Sequence, residues 1–294
     1  MAPILGIDIS RHQGWQKGVP FKMLAALGDA GVRYVIARAS IGTLPDPHYR
    51  AHAKRVANAR PDWVFGAYHF LDDGPEGDAQ AETFVAECRA AVGPQDLDGL
   101  ITVLDVERSR KEGSTNFPTW RQAKAFAQRF RQLVPGHPLG LYSNEDTIAG
   151  ALGNPDAATV FDWLWQARWT MRGTPPPVQL PDVPPRAGFG GFRTTPLWQW
   201  GSLRIGDNRI DGDAWYDTLP KLRDLGKHNG GPGPIEERPN YRKGYNAFID
   251  AVIGAIPAVP GPAGPAGEAF PMGVADARED VPEVLRLLRM RVDD

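Results

Sequence analysis

Residues 100–107 read LITVLDVE, an apolar run that closes on two carboxylates, Asp105 and Glu107. Side chains alternate across a strand, so Ile101, Val103, Asp105 and Glu107 share one face while Leu100, Thr102, Leu104 and Val106 share the other. The two acids therefore point the same way, with alpha carbons about 6.6 Å apart, two strand rises. Burying one unpaired carboxylate costs several kcal/mol. Two of them on one face of an otherwise apolar strand mean either a catalytic pair or a strand end running out into solvent beside Arg108 and Arg110.

The surrounding chain chooses between these readings. ILGIDI at 4–9 precedes a helical pattern near 20–31, and RYVIAR at 33–38 precedes one near 47–60. VFGAYHF at 64–70 is followed by a helix near 75–92, LITVLDVE by a helix from about Thr119 to Leu133, and PLGLYS at 138–143 by a short helix near 145–151. Beyond these strand–helix units lie VFDWLWQAR at 160–168, PLWQWG at 196–201 and RIGDNRID at 204–211, three strand candidates with no helix between them. Alternating strands and helices predict a parallel sheet with helices outside, and eight strands predict its closure into a barrel. In such barrels reacting groups lie at the C-terminal strand ends. Asp8, Tyr68, His69, Asp105, Glu107, Tyr142, Gln166, Gln199 and Asp211 all fall near strand ends and are expected on one rim, which favours the catalytic pair.

Composition bounds the partners. Lys and Arg total 33 against 35 Asp and Glu, a formal charge of −2, which offers no general attraction to nucleic acid or an acidic membrane. The single cysteine, Cys88, excludes an internal disulfide framework and a Cys-based zinc site, and its Ala-rich surroundings predict ordinary packing. No run approaches the roughly 18 apolar residues of a membrane span. The start MAPILGIDIS lacks the basic and apolar regions of a secretory signal, so the expectation is a protein made in the cytoplasm. His12 and His69 lack neighbouring His or Cys and are expected to be hydrogen-bonded rather than metal-bound; no metal or cofactor is expected. Ser10 and Ser143 lack the glycine-flanked elbow of a serine hydrolase.

The barrel is expected to span 1–225. A Gly/Pro-rich linker follows at 226–240, then a short helix at 241–256 with Tyr245, Phe248, Ile249, Val252 and Ile256 along one stripe. A second linker, 257–268, leads to a C-terminal amphipathic helix within 269–294, where Asp280 is a plausible N-cap and Val281, Val284, Leu285 and Leu288 form the apolar stripe. That stripe could dock on the barrel, pair with another copy or attach to a larger assembly such as a virion.

The residues from about 3 to 220 resemble glycoside hydrolase family 25, muramidases with an irregular TIM-like barrel of five strand–helix units plus three strands, (β/α)5(β)3. The resemblance rests on GIDIS at 6–10, ARAS at 37–40 with Gly42-Thr43 and Asp46, GAYHF at 66–70, QAETF at 80–84, LDVE at 104–107, LYSN at 141–144, LWQAR at 164–168, LWQWG at 197–201 and IDGDAWY at 210–216. The chain departs from the family pattern at Ile41, Arg168 and Trp215-Tyr216. Carried across motif by motif, the resemblance implies that Asp8, Asp105, Glu107 and Asp211 are the catalytic acids. It also implies hydrolysis of the β-1,4 bond between N-acetylmuramic acid and N-acetylglucosamine in bacterial peptidoglycan. The place of action it implies is the cell wall, in phage-driven lysis after holin-type release or from within a virion. A chitin-type N-acetylglucosaminidase and a non-catalytic wall-binding or virion structural module are the competing readings.

Glycoside hydrolysis needs a proton donor and a second carboxylate that supports an oxocarbenium-like centre. The longer Glu107 is the expected donor, with its ionisation disfavoured by Asp105, Asp8 and Asp211. Asp105 is then a nucleophile or the group that orients a substrate acetamide. Tyr68, Tyr142, Trp165 and Trp198 are candidate sugar platforms, against the alternative that they are core. Gln166 and Gln199 suit hydroxyl recognition, and Arg38 is a candidate partner for a substrate carboxylate or for one of the acids.

Overall fold

The structure, a computed structural model, describes residues 2–92, 97–108, 116–171, 180 and 188–227. The linkers and helices expected after residue 227 lie outside the described residues.

Eight strands close a barrel. They are β1 (Ile4–Ile9), β2 (Val32–Ile41), β4 (Val64–Phe70), β5 (Ile101–Asp105), β6 (Gly140–Ser143), β7 (Trp163–Met171), β8 (Leu197–Ile205) and β9 (Asn208–Trp215), with the two-residue β3 (Leu44–Pro45) folded back on β2 as a hairpin. The order β1-β9-β8-β7-β6-β5-β4-β2 is completed by a β1–β2 pairing, so no edge remains among the eight. Helices α1 (Phe21–Asp29), α2 (Tyr49–Ala59), α3 (Gly77–Val92) and α4 (Trp120–Leu133) follow the first four parallel strands, and a π-helical turn at Asp146–Ala151 follows β6. Helix α4 begins where the sequence signals it, at Thr119, whose side chain accepts from Gln122 N in a reciprocal capping box.

Two expectations are corrected here. The run 204–211 is not one strand: Gly206, at φ 58, opens a two-residue turn with Asp207, and the chain reverses from β8 into β9. A glycine at the first central position is what such a turn asks for, because its backbone is left-handed there. In consequence β9 runs antiparallel to both neighbours, β8 and β1, and the barrel is not wholly parallel. Strand β7 also starts later than expected, at Trp163, because Val160 and Phe161 both donate their N–H to Ala157 O in a short 3-10 turn.

Alternation sorts the side chains into two cores. Tyr34, Ile36, Tyr68, Ile101, Val103, Tyr142, Trp163, Trp165, Leu197 and Trp215 fill the barrel interior. Ile7, Ile9, Val35, Ala37, Leu104, Val106, Leu141, Leu164, Trp198 and Trp200 belong to the cluster shared with the helices, among them Leu24, Phe84, Phe126 and Phe130. Gly6 makes the interior possible at its base: it pairs with Tyr34, and a Cβ there would run into the Tyr34 ring. Cys88 is buried as a free thiol in the outer cluster, its ionisation opposed chiefly by burial.

Candidate active site

Asp105 ends β5 with the same inward parity as Ile101 and Val103, and Glu107 continues it two residues past the strand. Asp8 occupies the inward position near the end of β1. Asp211 reaches the same end by the opposite route, because antiparallel β9 enters where the parallel strands leave, and its Cα is the ladder partner of Asp8. All four acids line one cavity of about 280 Å³, together with Ile9, Ser10, His12, Gln13, Tyr68, Tyr142, Trp165, Trp169 and Gln199. Asp105 is 3 % exposed, whereas Glu107 is only partly buried, so the two differ in access to solvent.

The hydroxyl of Tyr142 sits among the acids. Burial pushes its phenol well above the ordinary range, and Glu107, Asp105, Asp8 and Asp211 push it further in that order. It is a neutral donor at neutral pH, and it donates to Gln199 Oε1 at 2.9 Å. Trp169 Nε1 donates to the same oxygen at 2.6 Å. With its oxygen so engaged, the Gln199 amide turns its Nε2 to Asp8 Oδ2 at 2.8 Å. The Tyr142 ring packs edge-on to Trp165 at 4.7 Å between centroids, and Trp165 packs edge-on to Tyr68 at 6.3 Å.

The rim beside β1 is held by its own hydrogen bonds. Ser10 caps a 3-10 turn at Arg11–Gln13, its Oγ accepting from His12 N while Gln13 Oε1 accepts from Ser10 N at 2.7 Å. Ser10 therefore caps this turn while Asp8 accepts from Gln199.

Of the expected binding residues, Tyr68, Tyr142, Trp165 and Gln199 line the cavity and Gln166, Trp198 and Arg38 do not. Gln166 and Trp198 each follow or precede an inward residue and so face the other way; Trp198 lies in the outer core and donates to Arg168 O at 2.9 Å. Arg38 is buried against Asp46, its Nε donating to Asp46 Oδ2 at 3.0 Å with Nη2 at 2.9 Å. His69, on the outward face of β4, is hydrogen-bonded at both nitrogens, to Ser40 Oγ at 2.8 Å and Gln80 Oε1 at 3.0 Å. Gln80 spends its amide N–H groups on Asp72 O and Pro75 O, so its oxygen accepts from His69 Nε2 and Ser40 donates to Nδ1. Among the described residues no group of three or more His, Cys, Asp or Glu is placed to hold a metal ion.

The structure adds residues at the cavity that the sequence did not assign to the site. Trp169 and His12 line it. Asp213 lies beneath it, fully buried, with Oδ1 accepting from Trp165 Nε1 at 3.0 Å. Burial raises the Asp213 carboxyl well above its usual range, and Asp8 and Asp211 add to that.

The barrel that carries this cavity matches a known family: residues 7–205 fit the model for glycosyl hydrolases family 25. The chain belongs to that family. The family 25 fold is shared with solved structures. These include a muramidase from Trichobolus zukalii, at 24% identity over 76% of this chain and 99% of that one, with a TM-score of 0.57. A family GH25 lysozyme from Aspergillus fumigatus gives 22% identity over 76% and 99%, TM-score 0.59. The catalytic domain of endolysin ply40 from bacteriophage P40 of Listeria monocytogenes gives 23% over 77% and 98%, TM-score 0.51. A comparison with curated proteins returned no match. The family 25 assignment makes the chain a glycoside hydrolase, and the expected irregular barrel is the one observed.

Proposed function

We propose that this family 25 hydrolase is a muramidase, cleaving the β-1,4 bond between N-acetylmuramic acid and N-acetylglucosamine in bacterial peptidoglycan. The observation that carries the reading is the convergence of Asp8, Asp105, Glu107 and Asp211 on one open cavity around the neutral Tyr142 hydroxyl. In this reading Glu107, the more accessible member of the pair, protonates the leaving glycosidic oxygen. Asp105, deeper and almost fully enclosed, supports the positive charge that develops at the anomeric carbon, by direct attack or by orienting the substrate acetamide. Gln199 holds Asp8 in place, and Asp8 and Asp211 add negative potential under the same developing charge. Trp169, 39 % exposed at the mouth, offers a face to a sugar ring.

The likeness to an endolysin catalytic domain supports a role in phage-driven lysis or wall penetration. Among the described residues no helix is long and apolar enough to cross a membrane. Val281, Val284, Leu285 and Leu288, whose spacing predicts an apolar helical stripe, suit attachment to a second copy or to a virion. Removing residues 257–294 should then abolish oligomerisation or particle association while leaving lysis, and retention of both associations would refute that role.

The activity is tested by digesting purified peptidoglycan, reducing the products with borohydride and identifying the new ends by mass spectrometry. Muramitol ends are expected. Glucosaminitol ends would instead establish the N-acetylglucosaminidase reading, and no new ends would leave a binding module. Glu107→Gln should lower turnover by about 10²- to 10⁴-fold with the circular dichroism spectrum unchanged.

A further inference from the structure

The β8–β9 hairpin does not stop at the cavity. Ser202 pairs with Asp211, Leu203 with Ile210, Arg204 with Arg209 and Ile205 with Asn208. Ladder partners project from the same face, so Ser202, Arg204, Arg209 and Asp211 share one side while Leu203 and Ile210 pack into the outer core on the other. The side that carries Asp211 is the cavity side. Outward from the acids, the hairpin therefore presents a wall bearing two exposed arginines in direct opposition.

Like charges facing each other across a ladder destabilise it. Arg209 donates its Nε to Ser202 Oγ at 2.8 Å, and its guanidinium lies 5.9 Å from the centre of the Trp169 ring at the cavity mouth. Neither arginine forms an ion pair among the described residues. The cost of opposing them is thus not offset by an ion pair. The cavity next to them holds four acids, which repel any glycan that carries negative charge.

We propose that Arg204 and Arg209 form a carboxylate-binding site that seats the acidic peptide substituents of the glycan as it runs out of the cavity; this rests on the muramidase reading. A guanidinium pair on a rigid hairpin matches the planar, bidentate geometry of a carboxylate. A bound carboxylate cancels the Arg–Arg repulsion and shields the substrate from the acids. A neutral N-acetylglucosamine polymer brings no such group, so the wall favours peptide-bearing glycan.

The test uses the full chain on two forms of one peptidoglycan, native and with its peptide carboxyl groups converted to amides by carbodiimide and methylamine. Release of reducing ends should favour the native form by about three- to tenfold in kcat/KM, the range two exposed ion pairs allow. The preference should shrink as salt rises. In Arg204→Gln/Arg209→Gln it should collapse towards one, and in Arg204→Glu/Arg209→Glu it should invert. The Gln double variant should melt at the wild-type temperature or above it, because a repulsive pair has been removed. Cleavage of both forms with the ratio unmoved by these substitutions would overturn the carboxylate site alone. Failure of the wild type to release muramic ends from either form would overturn the muramidase reading and this site with it.

Discussion

Asp8 of β1 and Asp211 of β9 stand directly opposite each other in an antiparallel ladder, two carboxylates on one inward face. What orients the first of them is the Gln199 amide, which donates to Asp8 while accepting from Tyr142 and Trp169. Gln199→Leu should strip a donor from Asp8 and an acceptor from a buried phenol together. Leaving such groups unsatisfied costs about 1–3 kcal/mol each, so the urea midpoint should fall and kcat should drop with KM little changed. Gln199→Glu keeps the acceptor but turns an oxygen towards Asp8. Its activity should be poor at neutral pH and recover as the pH is lowered and the new carboxyl gains a proton, a shift of the pH–rate profile that simple loss of structure would not produce.

Burial dominates the titration of Tyr34, Tyr49 and Tyr142, each of which is raised well above the ordinary phenol range. Absorbance at 295 nm on titration from pH 8 to pH 11 should therefore miss these three of the seven tyrosines until the protein unfolds. Their folded values lie above their unfolded ones. The stability they contribute is whole below about pH 10 and is lost as the pH climbs beyond it, so alkaline unfolding should be steep. Ionisation of all seven in the native state near pH 10 would contradict the enclosed, neutral Tyr142 on which the site geometry depends.

The raised carboxyl of Asp213 has a consequence for stability of the opposite sense to an ordinary surface acid. Its folded value is raised, so its contribution is complete below the unfolded carboxyl range and declines as the pH rises through and above about 4. Asp213→Asn retains an oxygen for the Trp165 indole and cannot ionise. The variant should gain thermal stability over the wild type, by a margin that widens from pH 4 to pH 7. A margin constant with pH would mean that the wild-type group is already ionised.

The same alternation rule that reads LITVLDVE explains what the sequence left hidden. Trp165 and Trp169 share a parity, as do Asp211 and Asp213, so the rim tryptophan and the buried acid were both marked by period-two spacing from residues already singled out. The phase was the missing quantity. In LWQAR and LWQWG both faces of the strand are enclosed, one by the barrel interior and one by helices, and no hydrophobic contrast shows which neighbour of each Trp-Gln pair turns inward. Arg38 was hidden for a different reason: Gly42 reverses the chain, β3 returns along β2, and Asp46 arrives beside the guanidinium by a hairpin the composition does not announce. The barrel order itself was legible because strand and helix patterns alternate strongly; only the last strand's direction was lost, in a Gly-Asp turn read through as strand.

His69 ties this packing to pH. It is stacked on Phe126 at 4.9 Å between centroids and hydrogen-bonded by Ser40 and Gln80, and burial lowers its titration to about 4. The unfolded imidazole takes up its proton near 6.5, so the stability due to a neutral His69 is present above that value and is lost as the pH falls through it towards 4. The full swing is about 3 kcal/mol at the usual 1.4 kcal/mol per unit. His52, lowered likewise to about 4 by burial, adds in the same direction. Denaturant midpoints should accordingly fall between pH 6.5 and pH 4. In a proton NMR titration, two of the six histidine ring signals should stay unshifted down to about pH 5. If all six moved together near pH 6.5, the ring could not be enclosed between β4, α3 and α4, and the Gln80–His69 link that ties α3 to the strand beside Asp105 would have to be open.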